Sequence, residues 1–313
     1  MADREGPSVD LGWTNVGLAF SFIVFDVLVS AAFGLEIERS LFTAAVRCVG
    51  QLSVVGLVLQ EVFLTKNPWT VAAIALLLNF LGTVEIVANK SPRRYHGMFP
   101  AVLTAMLGSI IPISIIGTRF AMSVQPFWDP VQYIPIVGML GGSTISGIVV
   151  CVSYILKELS ENRDKVETYL AFGASRMEAC KPIAREALRL ALTPVINQMS
   201  VLGIIAIPGM MTGAILGGAS VQQAARLQMI IMFMISSATA LASIYTIFAV
   251  ISVTVDSEHR VRSDRIDERK FGLWRAKEWL REKVVTTYRK TTRRLKKEKS
   301  DAEDERTPLL FGD

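Results

Sequence analysis

The feature that most limits the fold is a succession of apolar stretches, each of about twenty residues, the length an α-helix needs to cross the hydrocarbon of a bilayer. They run over roughly 14–33, 44–64, 69–88, 99–120, 133–154, 194–216 and 223–255, which makes about seven spans. Hydrophobic residues make up 51% of the 313-residue chain, more than a soluble domain of this size carries. The expected fold class is therefore an all-α integral membrane protein with about seven transmembrane helices. The start, MADREGPSVDLGW, has no basic region ahead of its apolar run. No cleavable signal is expected, and the first span directs insertion.

Charge placement sets the orientation. Arg39 and Arg47 follow the first span, Lys90, Arg93 and Arg94 the third, and Lys157, Arg163, Lys165, Arg176, Lys181, Arg185 and Arg189 the fifth, whereas the opposite loops hold little beyond Lys66, Arg119 and Arg226. The excess of cations on one side places the N-terminus outside or in a lumen and the C-terminus in the cytosol. The net charge of +5 thus orients a membrane protein and gives no sign of nucleic-acid binding. The expected division is a short extracytosolic N-terminus (1–13), a permease domain (14–255) with a cytosolic loop at about 157–193, a basic amphipathic segment (256–299) and an acidic disordered tail (300–313). Cys48, Cys151 and Cys180 fall on the cytosolic side, so reduced thiols are expected.

The segment from Glu167 to Gly218 is where the chain departs most from a plain bundle. Its first half, ETYLAFGASRMEACKPIAREALRLALTP, is too charged for lipid, yet Leu170, Met177, Ile183, Leu188 and Leu192 recur at helical spacing. It is expected to lie on the membrane surface and meet another protein. Glu167, Gly173 and Ile183 keep the spacing of the E-A-A, three residues, G, nine residues, I motif that couples permease subunits to ABC ATPases, with Thr168 and Tyr169 replacing its alanines. A helix, a turn allowed by Gly173 and a second helix can carry motion from a soluble partner to a span. The competing reading is an ordinary amphipathic loop. The second half has a Pro-Gly break at Pro208 and Gly209, with glycine every fourth place through Gly213 and Gly217. Together with Gly138, Gly142 and Ser146 in the fifth span, these small faces could bring helices close.

The run LAFGASRMEACKPIAREALRLALTPVINQMSVLGIIAIPGMMTGAILGG, with Arg47, Gln51, Leu52 and Gly56 in the second span and Ile134, Pro135, Gly138 and Met139 in the fifth, resembles the FetB-like family of ABC permeases. That family includes a bacterial iron-export permease and plant permeases linked to aluminium tolerance. Ser143 stands where relatives carry Asn, and Ala219 and Ser220 replace an Asp-Pro pair. The resemblance implies a permease half that exports a metal such as iron, or a small metabolite, and assembles as a homodimer with separate ATPase subunits. In agreement, the chain has no G-x-x-x-x-G-K-S/T phosphate loop, so it is not expected to be an enzyme or to bind a cofactor itself, and ATP with Mg²⁺ would sit on the partner chain. Glu167, Gly173, Ala174 and Ile183 are then the expected ATPase-coupling residues. The expected substrate path runs through Arg47, Gln51, Gly138, Met139, Ser143, Pro208, Gly209, Met210, Met211 and Gly213.

Charges inside the spans are costly and usually functional. Asp26 is the deepest, with a pairing to a neighbouring span as the competing reading, and Glu85 is expected to pair with Lys90 at headgroup level. Asn79, Asn197 and Gln198 are further polar candidates in the apolar runs. Met139, Met210 and Met211 could act as weak soft ligands, although methionine in such spans is more often packing. The only histidines, His96 and His259, lie outside the spans, so no firm metal site is expected. After the last span, Leu273, Leu280, Val284 and Tyr288 suit an interfacial helix on anionic lipid. Glu305, Leu309 and Leu310 fit the acidic dileucine pattern read by clathrin adaptors, which implies a eukaryotic endosomal, vacuolar or lysosomal membrane, with the plasma membrane as the other option. Two rival functions use the same features: an ion-gradient-driven carrier or channel, and a membrane scaffold that transports nothing.

Overall fold

The computed structural model describes residues 12–65, 67–256, 260–262 and 265–267. The interfacial helix and the dileucine pattern expected beyond 267 lie outside the described residues. Among those described, six helices are long and apolar enough to cross a membrane. They are α1 (Trp13–Ala32), α2 (Glu38–Thr65), α3 (Pro68–Val84), α4 (Met98–Ile116), α5 (Pro130–Glu161) and α9 (Val221–Thr254). α3 and α4 each run on into a π-helical turn, Glu85–Lys90 and Gly117–Ala121.

Local chemistry marks the ends. α3 begins with Pro68 at its first position and with the Asn67 side chain accepting from the Trp69 amide at 3.0 Å. α9 begins at Ser220, whose hydroxyl accepts from the Gln223 amide at 3.3 Å. A two-stranded antiparallel pair, β1 (Arg94–Tyr95) with β2 (Ile266–Asp267), ties the α3–α4 connection to the segment after α9.

The remaining expected span, 194–216, is not one helix. α7 (Arg176–Val201) includes Pro194 within its helical run, residues 202–208 leave helical form, and α8 (Gly209–Leu216) follows. The break starts six residues before Pro208 and has two causes. Gly203 takes φ +85°, a left-handed conformation open to glycine, and Pro208 disfavours helical backbone at Ile207. About seven spans were expected, this one with a break at Pro208 and Gly209; the break is present but begins earlier, and the segment is not among the six helices long and apolar enough to cross a membrane.

The core is built on α5 and α9, with α4 and α7 packed against both. Close approach at the α5–α9 contact comes from Gly147, where a Cβ would stand 2.6 Å from the Thr239 methyl. Ile148, Val152, Ile155 and Leu156 of α5 and Ala238, Ala242 and Val250 of α9 are buried around it. α1 and α2 form a hairpin packed mainly on itself, and α2 reaches the rest along α5.

Candidate functional site

Two places gather the residues singled out in the sequence. The first is the helical elbow that links α5 to α7. α6 (Arg163–Ala171) follows α5 after Asn162, and Gly173 at φ +88° reverses the chain. Ser175 then opens α7 with a reciprocal cap: its hydroxyl accepts from the Glu178 amide at 3.4 Å, and its own amide donates to the Glu178 carboxylate at 2.9 Å. The Ser175 hydroxyl also donates to that carboxylate, and these bonds hold the Glu178 carboxyl below its ordinary value.

The elbow's apolar stripe faces inward. Leu170 is buried with Val166, Ala179 and Cys180, and Met177, Ile183, Ala184 and Leu188 pack against the chain's own core. These apolar side chains are thus used within the chain, which leaves the outer face of the segment to meet a partner. What the elbow offers outward is Phe172, 87% exposed beside Gly173, with Tyr169 one turn earlier and the Arg163–Glu167 ion pair at 2.6 Å. Sequence reasoning passed over Phe172, although an aromatic next to a turn glycine in a charged segment was a usable signal. Ala174 is half-buried at the turn, and Arg176 reaches the end of α9 through the Val255 carbonyl at 3.5 Å.

The second place is a cavity of about 730 Å³ between α2, α3 and α5. Arg47, Gln51, Asn79, Glu85, Lys90 and Gly138 all line it. Arg47 donates to Glu85 at 3.1 Å, so Glu85 pairs with α2 and not with Lys90 as expected. Asn89 donates to the same Glu85 oxygen. Asn79 is 1% exposed, gives its amide to the Ala75 carbonyl at 2.8 Å, and leaves Oδ1 buried with no partner among the described residues.

The glycine face of α5 opens onto this space. A Cβ on Gly138, Gly141 or Gly142 would meet nothing within 4 Å, so among the described residues this face brings no other helix close, and of the two uses its spacing allowed, within one copy or between copies, the first is not seen. Gly209 and Gly213 of α8 face open space as well, and α8 packs on α9. Of the expected path, Arg47, Gln51 and Gly138 line this cavity, whereas Met139, Ser143, Pro208, Gly209, Met210, Met211 and Gly213 are not among its lining residues. Met139 and Met210 instead pack against the core. Asp26 is exposed on α1 and makes no ion pair or hydrogen bond among the described residues, so the expected pairing with a neighbouring span is not formed within them. No group of three His, Cys, Asp or Glu that could hold a metal ion occurs among the described residues. All three cysteines are free, and only Cys48, which lines the cavity, is exposed.

The sequence profile of the uncharacterised protein family UPF0014 matches residues 13–254. The chain belongs to this family. UPF0014 proteins similar to it include the membrane protein slr1647 of Synechocystis, 30% identical over 77% of this chain and 92% of that one. The protein ALUMINUM SENSITIVE 3 of Arabidopsis thaliana is 32% identical over 74% of this chain and 84% of its own length. The probable iron export permease protein FetB of Escherichia coli is 24% identical over 79% and 93%. No solved structure matches the chain. UPF0014 membership agrees with the FetB-like resemblance and with an all-α integral membrane protein.

Proposed function

We propose that this UPF0014 protein is the permease half of an ABC-type exporter, driven by ATPase subunits on separate chains and working as a pair of permease copies. The observation that carries this reading is the elbow at Gly173. It is fixed to the two central helices, to α5 by direct connection and to α9 through Arg176, and it holds an exposed aromatic side chain away from the protein's own core. A displacement of the elbow by a nucleotide-driven partner would be passed along α5, about 48 Å long at 1.5 Å per residue, to the cavity at Gly138 and Gly142. The substrate crosses through that cavity and is a metal such as iron or a small metabolite. The name of the Escherichia coli relative supports export and iron.

The charge distribution supports placing the elbow in the cytosol, and the acidic dileucine pattern supports an endosomal, vacuolar or lysosomal address. A gradient-driven carrier would need titratable groups along its path. Asp26, the deep carboxylate of α1, does not line the cavity, which leaves Glu85 as its one carboxylate, few for a gradient-driven path.

The test is co-purification from mild detergent of the tagged full-length chain with the nucleotide-binding subunit it recruits. Phe172→Ala removes a side chain that the fold does not use, so the variant should keep its thermal stability. Its hold on the ATPase should weaken about 30-fold, as for a central aromatic contact worth about 2 kcal/mol. Full retention of the ATPase by this variant and by Glu167→Ala, or no ATPase with the parent protein, would refute the assignment.

A further inference from the structure

We infer that the cavity between α2, α3 and α5 takes a hydroxylated oxyanion, a hydroxycarboxylate or a sugar phosphate, which releases the α1–α2 hairpin by displacing Glu85 from Arg47. This deepens the proposed transport function by assigning its substrate class. Three observations converge on it.

The charge of the lining comes first. Arg47 and Lys90 face one carboxylate, Glu85, leaving one net positive charge in the cavity. A bare metal ion would meet that positive excess and no three-ligand group, whereas a guanidinium fork matches the two oxygens of a carboxylate or phosphate. A metal would travel here inside an anionic chelate.

The second observation is a neutral acceptor. Asn79 lines the same cavity, and its Oδ1 is buried without a partner among the described residues, where an unmet carbonyl is costly; a turn of the side chain toward the cavity would let it accept from a ligand hydroxyl. This asks for a hydroxyl on the ligand besides its charge.

The third is mechanical. The Arg47–Glu85 pair joins α2 to the end of α3, while α2 otherwise meets the core along α5 beside an open glycine face. An entering oxyanion takes the place of the Glu85 carboxylate on Arg47. Glu85 is not stranded by the exchange, because Asn89 still donates to it. The exchange unties the hairpin.

Cys48 gives the readout. It lines the cavity and is exposed, whereas Cys151 and Cys180 are buried, and burial pushes the Cys180 thiol up to about 11. The full-length protein in nanodiscs is labelled with N-ethylmaleimide, with Cys48→Ser as the blank, in the presence of citrate, glucose 6-phosphate, inorganic phosphate or ferrous iron alone. Citrate or glucose 6-phosphate at ten times its dissociation constant should slow Cys48 labelling about tenfold by occupancy, and whichever does so identifies the source of the oxyanion. Inorganic phosphate, with the charge but without the carbon-borne hydroxyl, should protect more weakly. Arg47→Gln should abolish protection, while Glu85→Gln should require about fivefold less oxyanion, the size of a partly exposed ion pair no longer competing.

The inference is overturned if no oxyanion protects, if ferrous iron alone protects regardless of Arg47, or if the two variants respond alike to the oxyanion. Arg47-dependent protection without a co-purifying ATPase would leave the site standing and remove the ABC reading. The reverse result would do the opposite.

Discussion

The α5–α9 core and the α1–α2 hairpin are equally apolar, yet they use their apolar side chains in opposite ways. In α5 and α9, side chains such as Leu156 and Ile251 are sealed against neighbouring helices. In α1 and α2, Phe22, Phe25, Leu28 and Leu57 are exposed. Within a bilayer the second arrangement carries no hydrophobic cost, because lipid tails are as apolar as leucine, and helices gain from association only through packing, hydrogen bonds and lipid entropy. The core is thus held by fitted surfaces, and the hairpin by its own pairing, the Arg47–Glu85 bridge and a limited contact with α5. A region held by few contacts is the one free to move, which is the property a transport cavity needs in one of its walls.

The sharpest way to break this comparison is to shorten one leucine in each region. Leu156→Ala opens a space in a side chain that is 0% exposed and should cost about 2 kcal/mol, the low end for buried leucine because lipid reduces the transfer part. Leu57→Ala, at a position 70% exposed, should shift stability by less than about 0.5 kcal/mol. Equal losses in thermal unfolding in detergent would mean that the hairpin is as tightly packed as the core.

A smaller effect comes from two glycines of α5. Gly147→Ala would push a methyl against Thr239 and should destabilise by about 1 kcal/mol, since the Thr239 methyl can yield only partly. Gly142→Ala adds its methyl to open space and should be neutral or slightly stabilising through helix propensity, by up to about 1 kcal/mol. Comparing their melting temperatures sharpens the contrast on a single helix. A loss at Gly142 as large as at Gly147 would show that the glycine face is closed by a second copy or another chain.

These glycines also mark what the sequence could express. Six of the expected spans were legible because length and hydropathy must meet the bilayer whatever the tertiary structure. Which spans are central was not, since lipid and protein interior select the same residue types and α1 reads much like α9. Gly142 and Gly147 are equally small, and only the position of Thr239 on another helix separates them. The elbow at Gly173 was legible because turn, cap and helix chemistry act over a few residues. Its inner and outer faces were not, as the stripe through Leu170, Met177, Ile183 and Leu188 could equally have met a partner. The cavity combines both cases. Arg47 and Gln51 stood out on one helix face, but the partner of Arg47 lies 38 residues away and depends on how α2 meets α3.

The smallest expected effect lies at the elbow's hinge, where two helix starts of the same pattern differ in one titrating group. α7 opens with Ser175 and Glu178, α9 with Ser220 and Gln223. Glu178 titrates below its ordinary value of 4.5 because it accepts from the Ser175 hydroxyl and amide. A depressed carboxyl contributes stability that is complete above the unfolded value and fades as pH falls through the folded one. Amide protection factors in the first turn of α7 should therefore decline as pH drops below 4.5, while those in the first turn of α9 hold steady. Glu178→Gln keeps a side chain able to accept from Ser175 but has nothing to protonate, so it should make α7 behave like α9. If α7 stays acid-sensitive in that variant, the cap is not what sets the hinge, and the elbow's stiffness must come from the packing of Val166 and Leu170 beneath it.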